Sequence, residues 1–166
     1  MRKIVLTILI LAALLWGIDL VLRLLNPLDD VKAGIIESAT PLSREEALPN
    51  CPIDLPEGAT NIQYAVRSLW QASQTYVRFE APVPVCLEHA KAVMQTYAVN
   101  SGKEVTQSLV VGPLTMPLVI SPTELKISWF DLPRFSAGVA FKLNAHPSPT
   151  VWVDTNRGCF YLELND

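Results

Sequence analysis

The stretch Val151-Trp152-Val153-Asp154-Thr155-Asn156-Arg157-Gly158-Cys159-Phe160-Tyr161-Leu162-Glu163-Leu164 decides the fold class. Two apolar runs flank Thr155-Asn156-Arg157-Gly158, a turn sequence with glycine where a positive φ is needed. The pattern predicts an antiparallel hairpin. Upstream, Val139, Phe141 and Leu143 alternate with Ala140 and Lys142, and Leu125, Ile127 and Trp129 alternate with Lys126 and Ser128. That is the period of a half-buried strand. Farther back, Ile62, Tyr64 and Val66 alternate with Gln63, Ala65 and Arg67, and residues 75–81 repeat the pattern with Val77 and Phe79 on one face. The segment between them is polar apart from Leu69, Trp70 and Ala72, so these runs form a second predicted hairpin. Residues 109–121 are apolar but cut by Pro113 and Pro117, which suits an edge strand or a packed loop.

Between the two groups of strands, Pro82-Val83-Pro84 suits the start of a helix, where a missing N–H is harmless. Cys86, Leu87, Ala90, Val93, Met94 and Tyr97 then follow at helical spacing, with Glu88, Lys91 and Gln95 on the wet face. Asn100 and Gly102 supply the stop. The order predicts an α+β domain over residues 51–166, with a single helix packed on an antiparallel sheet of about five strands. One helix covers one face of such a sheet. The other face is then solvated, or buried by a partner or by the linker.

Ahead of this domain, Arg2 and Lys3 precede an apolar run. Residues 4–25 make a helix roughly 33 Å long at about 1.5 Å per residue, enough to cross a bilayer. The early positive charges place the N-terminus in the cytoplasm. The expectation is a single-pass signal-anchor over residues 1–25 in the inner membrane, with the C-terminal domain extracytoplasmic. A cleaved signal peptide is the rival, with Val31-Lys32-Ala33 as a late cleavage site. Asp19 and Arg23, four apart, can pair and snorkel to the headgroups. Ala13 and Gly17 form a small-xxx-small pair. Residues 26–50 carry Pro27, Pro41 and Pro49 and read as a linker. Within it, Ser43-Arg44-Glu45-Glu46 matches a capping box, which Pro49 limits to a local turn.

The chain has 166 residues, of which 50% are hydrophobic and 17% charged. The mean hydropathy is +0.28. That composition excludes disorder over most of the length. A net charge of −3 offers no basic footprint for nucleic acid.

Three cysteines, Cys51, Cys86 and Cys159, form an odd set outside the cytoplasm. Antiparallel pairing places Asn61 near Ala81, so Cys51 and Cys86 emerge at the same end of the sheet. A Cys51–Cys86 disulfide is expected, closing a loop of about 35 residues worth roughly 3–4 kcal/mol. Cys159, beside Phe160, reads as a core residue.

Signals for catalysis are thin. Cys86 in the first helical turn and His89 three residues on share one side of the helix, but no third orienting group is evident. Cys86, His89 and the isolated His146 make no metal signature, and no cofactor motif is present. Asp131 and Asp154 each follow a strand tryptophan by two residues, so a carboxylate pair is the alternative reading, as a small extracytoplasmic hydrolase. Strand-ending Asp is also an ordinary turn residue. An interaction module fits better. Trp70, Trp129 and Trp152 are the candidate partner-binding residues, Trp70 because it falls in a predicted hairpin loop. The expected function is a non-enzymatic, membrane-tethered accessory module with an envelope protein as partner.

The stretch Leu55-Pro56-Glu57-Gly58-Ala59-Thr60-Asn61-Ile62, with Tyr76-Val77-Arg78-Phe79, Val151-Trp152-Val153-Asp154, Phe160-Tyr161 and Asp166, resembles a pattern in small uncharacterised bacterial membrane-anchored or secreted proteins. It covers about the last two-thirds of the chain. The resemblance implies no activity and no catalytic residue.

Overall fold

A computed structural model describes residues 35–38, 40–69, 72–114 and 127–166. The span Gly34–Asp166 is one compact unit. Its strands are β1 (Ile35–Glu37), β2 (Thr60–Leu69), β3 (Ala72–Glu80), β4 (Val105–Val111), β5 (Ala137–Leu143), β6 (Ser148–Asp154) and β7 (Cys159–Asn165). They form a single seven-stranded sheet in the order β1-β2-β3-β7-β6-β5-β4. Every pairing is antiparallel. Two helices complete an α+β unit: α1 (Arg44–Ala47) and α2 (Val83–Ser101).

Both predicted hairpins are present. In β2–β3 the register runs from Thr60↔Glu80 to Leu69↔Ala72. In β6–β7 it closes at Asp154↔Cys159. Gly158 has φ +61, the left-handed turn the sequence called for, and a Cβ there would press on the Ala81 carbonyl. Along α2, Pro occupies the first turn and Gly102, at φ 64, ends the helix in the left-handed conformation. Cys86, Ala90, Met94 and Ala98 form its buried line. They pack on Ile62, Val77, Phe79, Phe141, Leu143, Val151, Val153, Phe160 and Leu162 to make the main core.

The sheet is wider than expected, and the two additions sit at its edges. β1 comes from residues expected in the linker, and Ile36 pairs with Val66. The same region then docks Leu42 against Ile62 and buries Ala47 completely, so this part of the predicted linker belongs to the domain. A short strand with two β-branched residues carries no readable period, and only the bare edge of β2 turns it into a strand. The capping box does form: the Ser43 N–H donates to Glu46 Oε2 at 2.9 Å. β4 is the opposite edge strand, centred slightly upstream of the proline-cut run.

One predicted strand is replaced. Residues 127–130 form a turn, with the Phe130 N–H donating to the Ile127 carbonyl at 3.2 Å; Leu125 lies outside the described residues. A 3-10 turn at Leu132–Arg134 follows. This segment lies on the face of the sheet that α2 leaves bare. Ile127, Phe130, Leu132 and Phe135 bury themselves against Ala65, Tyr76, Cys159 and Tyr161. The second face is therefore covered by the chain itself and not left solvated. Among the described residues no helix is long and apolar enough to cross a membrane, and the expected span at 4–25 lies outside them.

Candidate interaction surfaces

Phe130 is the centre of the second face. Its ring meets Tyr76 at 5.2 Å, Tyr161 at 5.5 Å, Trp129 at 6.0 Å and Trp152 at 6.4 Å, each edge-to-face. The fold thus brings two of the three predicted partner-binding tryptophans, Trp129 and Trp152, around one ring. Both are half-buried. The Trp129 indole N–H also donates to Glu37 Oε1 at 2.8 Å, which ties the covering segment to β1. These tryptophans pack on the covering segment and keep part of their surface in solvent. Trp70 lies outside the described residues.

Beside the aromatic group sits a charge network centred on Asp131. Its carboxylate accepts from the Tyr161 hydroxyl at 2.7 Å and from Arg157 at 3.3 Å. Arg78 Nε approaches Asp131 at 3.4 Å as an ion pair, but without the alignment of a hydrogen bond. Arg78 also pairs with Glu80 at 2.6 Å. Burial works to raise the Asp131 pKa, but the Tyr161 hydrogen bond and the charges of Arg78 and Arg157 outweigh it and hold the carboxyl below its usual range. Burial, with Cys159 and Asp131 nearby, pushes the Tyr161 phenol far above its usual value. The cluster therefore holds a fixed carboxylate and a fixed phenol at neutral pH.

Asp154, the other member of the alternative pair, is fully buried. Its oxygens accept from the backbone N–H groups of Ser136, Asn156 and Arg157 at 3.0, 3.0 and 3.1 Å. That is a turn-stabilising aspartate. Arg157 touches both carboxylates, Asp154 through its backbone and Asp131 through its side chain. Both carboxylates are engaged by hydrogen bonds within the fold.

Cys51, Cys86 and Cys159 are all free thiols, so the expected Cys51–Cys86 bond is not formed in this structure. The Cys86 thiol faces the carbonyls of Ala81 and Gly158 at 3.5 and 3.7 Å. Burial pushes Cys86 and Cys159 up to about 11, the reverse of an activated thiol. His89 does not serve Cys86. Its ring packs edge-on to Phe79 and Phe160, and among the described residues its buried Nε2 has no hydrogen-bond partner. No group of three ligand-type side chains suited to a metal occurs among the described residues.

The edge strand or packed loop expected over residues 109–121 is an edge strand lying farther upstream, β4 at Val105–Val111. Its residues, Val-Thr-Gln-Ser-Leu-Val-Val, carry no charge and no proline. Leu109 is 86% exposed and Val111 81% exposed, the two most exposed large apolar residues described. The polar Thr106, Gln107 and Ser108 at its start carry no apolar alternation, so the sequence signal begins only at Leu109.

Comparison with protein-family models, curated proteins and solved structures gives no match to this chain.

Proposed function

We propose that this chain is a membrane-tethered interaction or accessory module of the cell envelope, working without catalysis and docking protein through β4. Residues 4–25 would anchor it in the inner membrane, and the sheet domain would lie on the extracytoplasmic side. The observation that carries the reading is that, among the described residues, no strand pairs with the outer edge of β4. Natural sheets blunt their edges with charges, prolines, bulges or a covering segment, because a bare edge invites another strand. β4 has an unbroken register with β5 and none of the first three. Its Leu109 and Val111 side chains lie in solvent. Backbone pairing with pockets for alternate side chains is a common mode of protein recognition.

The engagement of Asp131 and Asp154 within the fold also favours binding over hydrolysis. A photo-crosslinking residue placed at Leu109 in the membrane-bound full chain tests the proposal, with Glu88 on α2 as the control site. Adducts at Leu109 and none at Glu88 are expected. Absence of any protein adduct at Leu109 in native membranes would remove the basis for the reading.

A further inference from the structure

We propose that the strand received by β4 is β4 of a second copy of this chain, paired antiparallel about Ser108. This deepens the docking reading above and rests on it. The backbone decides which groups are free. The Gly112 N–H donates to the Ser136 carbonyl at 2.9 Å, so position 112 points toward β5. N–H and C=O groups alternate sides along an antiparallel strand. Thr106, Ser108 and Val110 therefore also point to β5, and Val105, Gln107, Leu109 and Val111 turn theirs to the open edge.

A two-fold axis at Ser108 sets Val105 opposite the second copy's Val111, and Gln107 opposite its Leu109. It is the register that pairs all four outward residues of both copies. A slip along the strand leaves outward groups unpaired at an end. Charge raises no obstacle, because the strand has none and no like charges come to face one another. Lys103 and Glu104, one of each sign, fall beside Gly112 and Pro113 of the second copy.

Side chains agree with the backbone. In the β4–β5 register, Val105, Gln107 and Leu109 sit opposite Leu143, Phe141 and Val139, residues of the core beneath α2. Val105, Leu109 and Val111 thus share the α2 face. α2 leaves Leu109 and Val111 uncovered, while Val105 packs partly against the core, and Val99 of α2, 69% exposed, lines a groove with Gln95, Ala98 and Val105. In the proposed pair the second copy's Val111 arrives beside Val105 at the mouth of that groove. Val99, Val105 and the second copy's Val111 would close it with apolar surface at each end of the seam. The opposite sheet edge, β1, is three residues long and offers no comparable ladder.

The test uses the full-length chain in its membrane. Directly opposed residues of an antiparallel pair have Cβ atoms about 4.5–5.5 Å apart, close enough for a disulfide. Ser108→Cys should give an oxidant-dependent, reducible dimer, at least about tenfold above the unaltered chain. Thr106→Cys alone and Val110→Cys alone should not. Co-expressed with different tags, those two should link to each other, because the axis sets 106 against 110. A Ser108→Cys dimer no stronger than that of the unaltered chain overturns the proposal, as does equal linkage at Glu88→Cys. If Leu109 photo-crosslinks only to a different protein and Ser108→Cys stays monomeric, the docking edge stands and the second copy does not. If neither links, both readings fall.

Discussion

Replacing Asp131 by Asn tests whether the network on the second face holds the covering segment to the sheet. The substitution keeps the shape and removes the charge. Asp131 is 16% exposed and Arg78 9%, so solvent can do little to replace the lost partner. The Tyr161 hydroxyl at 2.7 Å loses a charge-assisted acceptor, and Arg157 at 3.3 Å loses another. Breaking a buried pair from one side costs about 3–5 kcal/mol. Asn still accepts one hydrogen bond, and Arg78 keeps Glu80, so we expect about 2–4 kcal/mol. For a unit of this size that is a fall in Tm of roughly 10 °C.

Urea unfolding of the purified chain in detergent, followed by tryptophan fluorescence, measures it, and Trp129 and Trp152 report on the segment directly. The pH dependence gives a second check with a fixed sign. A carboxyl whose folded pKa is depressed contributes stability that is fully present above its unfolded value, near 3.9, and is lost as pH falls through the folded value. The gap between the native chain and Asp131→Asn should be full at pH 7 and shrink below about pH 4. A loss under about 0.5 kcal/mol at pH 7, or a gap that does not change with acid, would refute the argument that this carboxylate fastens the second face.

Phe130→Ala should cost about 3–5 kcal/mol, because it empties the centre of the aromatic group, and chemical denaturation reads the loss. Gly158→Ala should cost about 1–3 kcal/mol, since φ is +61 and the new methyl group meets the Ala81 carbonyl; a neutral result would mean the turn can relax. Burial depresses the His89 pKa, only partly offset by Asp54, so folding favours its neutral form. Stability should therefore fall as pH drops through about 6.5, and this slope should vanish in His89→Phe, as pH-dependent unfolding curves would show. Alkylation of the denatured chain before and after reduction counts thiols. Three free at once match the structure, whereas one free and two released would show one disulfide, and peptide mapping of the alkylated sites would then tell whether it is the expected Cys51–Cys86 bond.

Much of the architecture is written in local pattern. The alternation of Ile62, Tyr64 and Val66, the turn at Gly158, the Pro-started and Gly-ended α2 and the Ser43 capping box all depend on neighbours within a few residues. Period, turn chemistry and caps act over that range, so sequence reading reaches them. The candidate site was less legible. Trp129 and Trp152 stand out in the sequence, but their common packing on Phe130 and the fastening role of Asp131 do not follow from it, because the residues concerned come from β3, β6, β7 and a loop.

By itself, the sequence determined an α+β domain with two hairpins and one long helix, and it set Gly158 in its left-handed turn. The folded arrangement alone settled what lies on the second face, that β1 joins the sheet and that β4 is the terminal strand among the described residues. The physical reason is that these outcomes depend on which apolar surface remains uncovered after α2 has packed. A run such as residues 127–135, with aromatic residues and a proline, is compatible with a strand or a cover. Packing on the rings of Tyr76 and Tyr161, which it buries, made it a cover.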